Sequence, residues 1–336
     1  MLRFLSAGRV LPFLVSAVAL ALLASLVGRA VDALGDRLGA GATGVVQSAL
    51  GNLPELFVVL FSLRAGLVGV VQGAIVGSIL ANVLLVLGLA FVFGGLRHGT
   101  QRFAAERARI ISLLLVLAVA ALIIPSLTAS LHSPAAGHEL GLSRIVSVLL
   151  LGLFALSLPA AIARGEEHTT KTVERPGPHE GEGLWPLPLA LGVLALAGVG
   201  AAFVSEWFVH ALEPAIGALG ISQAFAGLVI VAIAGNAVEN VVGIKLAARN
   251  QSDYALSVIL QSPLQIALVL APVVVLVSPL IGGAAFTLVF PPLLVVALAL
   301  AALVAVLVVF DGESTWLEGA ALVVLYAVIA AGFWWG

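Results

Sequence analysis

The chain has 336 residues, of which 62% are hydrophobic and 10% are charged, and its formal net charge is −2. This composition excludes an ordinary soluble domain and indicates a membrane protein with several spans. The 15 Lys and Arg residues are dispersed, which argues against nucleic acid binding, and the absence of cysteine excludes disulfides, thiolate metal sites and cysteine nucleophiles.

Ten apolar runs along the chain are long enough to cross a bilayer, which takes about 20 residues. The first run follows Arg3 and Arg9 and is interpreted as an uncleaved span, because it is long and lacks a clear signal-peptide cleavage site. The predicted fold class is therefore an all-α polytopic membrane protein with about ten transmembrane helices. The predicted spans are 10–33, 41–63, 68–94, 110–129, 143–163, 186–210, 221–248, 254–278, 284–309 and 316–335.

The longest polar segment, residues 164–185, separates the fifth span from the sixth. It contains five glutamates, two prolines and four glycines, a composition that resists burial and predicts a linker. The linker divides the chain into two repeats, 1–163 and 186–336, with five predicted spans each. Because that number is odd, the second repeat is inverted relative to the first, and inverted repeats hold their site near the bilayer midplane.

The distribution of cations predicts the orientation, because Lys and Arg accumulate in cytoplasmic loops. Ten of them lie on the side of the linker and four on the opposite side, with Arg29 left uncounted near a span end. We predict that both termini are outside and that the 164–185 linker is cytoplasmic. The sequence thus describes a multi-pass protein of the lipid bilayer, which we place in a prokaryotic plasma membrane.

Two polar motifs lie inside otherwise apolar spans, in segments 41–94 and 221–278. An unpaired charge in hydrocarbon costs about 2.5 kcal/mol or more, so a glutamate in each motif indicates a functional site. Their spacing indicates an internal repeat. A constant offset of 184 residues pairs Gly51 with Gly235, Asn52 with Asn236, Glu55 with Glu239 and Ser78 with Ser262.

The residue types in these motifs indicate a site for a hard cation. Asn52 and Glu55 are three residues apart and share a helix face, while Pro54 and Pro263 each leave one helical carbonyl without its usual partner. Carboxylate, amide and carbonyl oxygens are the ligands of calcium rather than of zinc or copper. Two carboxylates in a poorly solvated site also repel each other, so the site is expected to hold either a divalent cation or protons.

Each of these residues also has a structural interpretation. The two glutamates could form ion pairs with Lys or Arg, and the two asparagines could join helices by hydrogen bonds. Four further residues either line the site or pack between helices: Ser78, Asn82, Ser262 and Gln265. Three acidic residues near predicted span ends are either solvated at the interface or part of an ion access path: Asp32, Glu206 and Glu213.

Two local predictions concern structure alone. In the third span, glycine recurs every fourth residue at Gly69, Gly73 and Gly77, which predicts a packing face where another helix approaches closely. Asp253 precedes an apolar run and is predicted to cap the N-terminus of the eighth span.

The two motifs resemble the paired alpha repeats of the calcium/proton exchangers, a branch of the calcium/cation antiporter superfamily. The segment GNLPELFVVLFSLRAGLVGVVQGAIVGSILANVLLVLG, from Gly51, is similar to the first repeat, and GNAVENVVGIKLAARNQSDYALSVILQSPLQIAL, from Gly235, is similar to the second. The resemblance implies that Glu55 and Glu239 bind the cation and the protons. In this binding they are helped by Asn52, Asn236 and nearby backbone carbonyls at Gly51 and Gly235. The resemblance also implies alternating access driven by the proton gradient.

This sequence departs from the family pattern at two places. Asn240 stands where the family usually has a histidine after the second glutamate, and Gln261-Ser262-Pro263-Leu264-Gln265 replaces the more usual Gly-Ser-Ser. Sodium-coupled relatives usually carry hydroxyl pairs where this chain has Gly-Asn, so protons are favoured as the counter-ion.

The predicted function is secondary exchange of calcium for protons across the membrane, with calcium as substrate, no cofactor and no catalytic residues. A sodium-coupled or broad cation exchanger is the alternative within the same superfamily. An intramembrane enzyme using Glu55 and Glu239 as acid and base, or a channel, are alternatives from other classes. The sequence leaves homo-oligomerisation open.

Overall fold

The computed structural model describes residues 2–169, 185–282 and 285–335, and most of these residues are helical. The first half contains α1 (Leu2–Leu50), α2 (Leu53–Arg64), α3 (Val68–Leu80), a π-helical segment Ala81–Val86, α4 (Leu87–His98), strand β1 (Gln101–Arg102), α5 (Ala105–Ser130) and α6 (Glu139–Thr169). Most of the predicted 164–185 linker lies outside the described residues, so the division of the chain there stays a prediction.

The second half follows a related order of elements. It contains α7 (Leu187–Leu219), α8 (Gln223–Phe225), a π-helical segment Ala226–Val231, α9 (Ala232–Gly235), α10 (Ala237–Ala248), α11 (Ser252–Gln265), a π-helical segment Ile266–Leu270, α12 (Ala271–Val277), a 3-10 turn Ser278–Leu280, α13 (Pro292–Val308), β2 (Glu313–Ser314) and α14 (Trp316–Gly332).

The 184-residue offset also relates the secondary structure of the two halves around the polar motifs. It maps both ends of the 12-residue helix α2 onto the 12-residue helix α10, and the first residue of α3 onto the first residue of α11. Asn52 and Asn236 precede these short helices with nearly the same backbone, φ −92° and ψ 15° against φ −103° and ψ 16°. The sequence repeat is therefore also a repeat of local structure.

Six described helices are long and apolar enough to cross a membrane, and a seventh span results if the bent pair 223–235 and 240–248 counts as one. The prediction of ten spans is therefore confirmed only in part. Two more apolar helices, α13 and α14, have 17 residues each.

The first predicted span, 10–33, agrees with the candidate membrane span Val10–Val31, but the helix itself does not end there. Helix α1 continues to Leu50 through a stretch that contains no proline to stop it. One predicted boundary was wrong. The helix of the ninth predicted span, α13, begins at Pro292 and not at residue 284.

The predicted all-α class holds for most of the described residues. The described strands β1 and β2 form a short antiparallel pair, with Gln101 opposite Ser314 and Arg102 opposite Glu313.

The predicted cap of α11 was also wrong. Gln251 occupies the N-cap position, and Asp253 lies in the first turn of the helix. The Asp253 carboxylate accepts a hydrogen bond from the backbone N–H of Ala104 at 2.6 Å, so it links α11 to the start of α5.

The glycine face of α3 is confirmed as a packing surface. A methyl group added at Gly69 would lie 3.0 Å from the Gln223 side chain, and one at Gly73 would lie 2.5 Å from the Ala224 carbonyl oxygen. At Gly77 it would collide with the backbone of Leu228. These contacts bring the two halves together next to the segment that carries Ser78.

A buried non-helical segment, residues 285–291, precedes α13. Its burial alternates with a period of two, as in a strand, with Phe286, Leu288 and Phe290 at most 2% exposed. Three serines hold its N–H groups: Phe286 donates to Ser278 Oγ at 2.9 Å, Leu288 to Ser143 Oγ at 3.0 Å and Phe290 to Ser126 Oγ at 2.9 Å.

Candidate functional site

The site is built where a helix is interrupted and restarts. The chain turns at Gly51 and Asn52, and Pro54 lies in the first turn of α2, where its missing N–H costs no helical hydrogen bond. Glu55 consequently lies in that same first turn. Unpaired N–H groups at a helix N-terminus favour a negatively charged side chain there.

Glu55 is 1% exposed and contacts both halves of the chain. The Ser78 hydroxyl, on α3, donates a hydrogen bond to Glu55 Oε1. A Cβ added to Gly235 would lie 3.5 Å from the Glu55 Cβ, so the backbone of the second motif passes directly beside the carboxylate side chain. Glu55 Oε2 is buried and has no hydrogen-bond partner among the residues that the structure describes.

Asn236 extends this contact into the second motif. Its side-chain amide donates to Ser78 Oγ at 3.1 Å and to the Ala232 carbonyl at 3.0 Å. The Asn236 Oδ1 atom accepts a hydrogen bond from Ser262 Oγ at 3.3 Å. A continuous chain of hydrogen bonds therefore runs from Glu55 to Ser262, across both repeats.

The other predicted residues lie around this chain. Asn52 Nδ2 donates to Gln265 Oε1 at 3.2 Å, which is a second link between the repeats. Asn82 Nδ2 donates to the Ser78 carbonyl at 2.8 Å, and its buried Oδ1 has no partner in the described part of the chain. Gly51 forms the turn before α2.

The remaining predicted residues either lie outside the described side chains or are placed elsewhere in the structure. Glu239 belongs to α10, but its side chain lies outside the described residues, as does that of Asp32. Glu206 lines an apolar groove of about 420 Å³ between α2 and α7, together with residues such as Phe57 and Phe203. Glu213 is exposed on α7.

Glu55 has no ion-pair partner among the described residues. Among the described residues, the one salt bridge joins Arg102 to Glu313 at 3.1 Å, between largely exposed side chains. A buried carboxylate without a cationic partner is costly, so it is expected to take up either a proton or a bound cation. Two buried oxygens without a partner, Glu55 Oε2 and Asn82 Oδ1, are suitable ligands for a hard cation.

Sequence reasoning missed two features in or next to the second motif. The Ala232 carbonyl accepts a hydrogen bond from the Asn236 side chain. The signal in the sequence was the spacing of four residues, at which a polar side chain can bond back to a helical carbonyl. Asn240 is buried and its Oδ1 has no partner within the described ranges. Its sequence signal was only the departure from the family pattern.

Comparisons with known proteins show the family to which the chain belongs. The family model described as sodium/calcium exchanger protein matches residues 9–163 and 189–335. The Ca(2+)/H(+) antiporter ChaA of Bacillus subtilis is 35% identical over 96% of this chain and 91% of its own length. A Ca(2+)/H(+) antiporter of Synechocystis is 33% identical over 98% of this chain and 92% of its own length.

A solved structure is similar over nearly the whole chain. The structure of native YfkE superposes with a TM-score of 0.79 and 34% identity, covering 96% of this chain and 91% of that one.

Proposed function

Because the chain belongs to the sodium/calcium exchanger protein family, we propose that it is a secondary antiporter that exchanges calcium for protons. The relatives that match it along most of their length are named as Ca(2+)/H(+) antiporters, which supports this pair of substrates over others. The family contains transporters, so an enzymatic role for the buried carboxylate is not favoured.

The observation that carries the proposal is the environment of the Glu55 side chain. It is buried, has no cationic partner in the described part of the chain, and is held by a hydroxyl that connects it to the second repeat. In the proposed cycle, this carboxylate binds calcium when deprotonated and gives it up when protonated. Glu239, at the equivalent position of α10, is proposed to act in the same way.

The wider architecture of the proposal is a ten-span inverted repeat with alternating access. In it, Glu55 and Glu239 lie near the bilayer midplane, and the site opens to one side of the membrane at a time. Ser78, Asn82, Asn236, Ser262, Asn52 and Gln265 orient or complete the ligand shell, and the carbonyls of the Gly51 and Gly235 turns are further candidate ligands.

Transport in proteoliposomes tests this function. The purified protein is reconstituted, and uptake of labelled calcium is measured with an imposed pH gradient and, separately, with an imposed sodium gradient. We expect uptake that follows the pH gradient and collapses when a proton ionophore is added. Uptake that follows sodium and ignores pH would replace the proposal with a sodium-coupled exchanger.

A further inference from the structure

The non-helical segment 285–291 has one edge that is tied to the protein and one edge that is largely free. On the tied edge, the N–H groups of Phe286, Leu288 and Phe290 donate to serines, and Ser126 Oγ donates back to the Leu288 carbonyl at 2.9 Å. In an extended chain, alternate residues direct their backbone groups to opposite edges. Thr287 and Val289 therefore present theirs on the other edge.

That other edge makes a single hydrogen bond in the part of the chain that the structure describes. Gln72 Nε2, on α3, donates to the Val289 carbonyl at 2.7 Å. The N–H groups of Thr287 and Val289 and the carbonyl of Thr287 have no protein partner among the described residues. Both residues are also partly exposed, whereas their neighbours Phe286, Leu288 and Phe290 are buried.

The position of the segment makes this free edge informative. Helix α13 has 17 residues and is about 25 Å long, less than the roughly 30 Å of the hydrocarbon core, so residues before Pro292 are needed to complete that crossing. Ser126 and Ser143 lie inside α5 and α6, which places the segment at the end of the molecule that carries the 131–138 loop.

Unpaired backbone groups do not face lipid, because each would lose its hydrogen bonds to water without replacement. Non-helical backbone at this depth is tolerated where it is buried in protein or lines a water-filled cavity. The free edge of 285–291 is only partly buried, so water is the environment that accounts for it. Gln72, which closes part of this edge, would then be the deepest residue in contact with that water. It lies six residues, or about 9 Å along α3, from Ser78.

We propose that the free edge of residues 285–291 is one wall of a water-filled vestibule on the side of the 131–138 loop. In this vestibule, the Thr287 carbonyl and the Gln72 amide oxygen provide hard oxygen ligands for a cation that moves between bulk water and Glu55. The vestibule is inferred from the unpaired, partly exposed backbone of the segment, whereas the identity of its cation rests on the proposed function.

Thiol accessibility in this cysteine-free chain tests the vestibule. Thr287→Cys is made in the full-length protein, reconstituted in vesicles and treated from each side with small hydrophilic thiosulfonate reagents of opposite charge. The matched control is Val296→Cys, which lies on α13 with 53% of its surface exposed, away from the free edge. His138→Cys, in the exposed loop, reports the side of the membrane and the intrinsic reactivity ratio of the two reagents.

We expect Thr287→Cys to react from the same side as His138→Cys and at least tenfold faster than Val296→Cys. We also expect it to favour the cationic over the anionic reagent several-fold more than His138→Cys does. Val289→Cys, on the same edge, is expected to behave in the same way and keeps the test open if the first variant does not fold.

Two results would overturn the proposal. Reactivity at 287 and 289 as slow as at 296 would show that the edge faces lipid or protein, and fast reaction without cation preference would remove the cation route. Neither readout uses calcium transport. If only the proposed calcium/proton exchange is wrong, positions 287 and 289 would still react as expected, while the protein would not transport calcium in exchange for protons.

Discussion

Glu55 differs from the other described carboxylates in being buried without a cationic partner, so its charge has consequences that a surface glutamate lacks. We predict that Glu55→Gln lowers calcium exchange by ~100-fold or more, because the amide cannot release a proton or supply a charged ligand. The measurement is calcium uptake in proteoliposomes, with monodisperse elution in detergent as the test of folding. Glu106→Gln, at an exposed position in the first turn of α5, is the matched control.

The sequence repeat predicts the same loss of calcium exchange for Glu239→Gln. Uptake at the wild-type rate in either variant, with the Glu106→Gln control active, would remove that glutamate from the site.

Ser78 is the residue through which Glu55 and Asn236 are connected. Ser78→Ala removes one hydrogen bond to the carboxylate and leaves Asn236 with one partner fewer, so we predict that calcium affinity falls about 10- to 100-fold. The 184-residue offset predicts a similar loss for Ser262→Ala. Calcium binding is measured by isothermal titration on protein in detergent.

The control for this prediction lies on the neighbouring helix. Ser62, on α2, is fully buried and its hydroxyl has no partner among the described residues, so Ser62→Ala should leave calcium affinity unchanged. An equal loss in all three serine variants would show that general packing, and not the Ser78 hydrogen bond, sets the affinity.

At the scale of elements, the contact between α3 and the 226–231 segment is made by backbone against backbone. Gly77→Ala is predicted to destabilise the protein by about 1–3 kcal/mol, because the new methyl group meets the Leu228 backbone, which cannot move without shifting its helix. Thermal unfolding followed by size-exclusion elution measures the change.

Gly152→Ala on α6 is the control, since a methyl group there meets nothing within 4 Å. Removing a glycine from a helix interior normally stabilises it by up to about 1 kcal/mol. The two variants should therefore shift the unfolding midpoint in opposite directions. A rise for Gly77→Ala would mean that the two elements are not in close contact.

The elements also show how far sequence reasoning reaches. The burial of Glu55 could be predicted, because a carboxylate inside an apolar run indicates a buried functional site. The helix breaks at Asn52 and Asn236 could not be predicted, because both lie inside predicted continuous spans, 41–63 and 221–248, and only the first motif has a proline near the break.

The conformation of segment 285–291 could not be predicted, because a short apolar run is compatible with both helix and strand. Its conformation depends on serines from α5 and α6, more than 140 residues away.

The long α1 helix was missed for a different reason. The residues between the first two predicted spans include a charged pair, Asp36 and Arg37, which resembles a loop in composition. A helix continues through such residues when no proline or strong cap interrupts it.

At the scale of the whole molecule, the predicted orientation is open to a direct test. Glu174→Cys lies in the acidic linker and His138→Cys in the loop between α5 and α6. With both termini outside, an impermeant thiol reagent added to intact cells should label position 138 and leave position 174 unlabelled until the cells are lysed. Labelling of 174 in intact cells would reverse the assigned topology.

Coupling between the two cargoes is also a property of the whole transporter. If calcium and protons compete for the same carboxylates, calcium binding must release protons, and the calcium dissociation constant must rise as pH falls. The rise is up to about tenfold per pH unit for each proton released. Titrations between about pH 8 and about pH 5, with sodium and potassium salts compared, measure this slope. A dissociation constant independent of pH would contradict shared binding.

The glycine contacts between the halves also bear on how such a chain could have arisen. Gly73 and Gly77 of the first half are covered by backbone of the second, and Gly227 of the second half is covered by backbone of the first. A half-length chain alone would leave these grooves open and would contain one motif glutamate without its counterpart. An ancestor half this size would therefore have needed to associate in pairs from the start, so gene duplication and fusion would have made permanent a dimer that already existed.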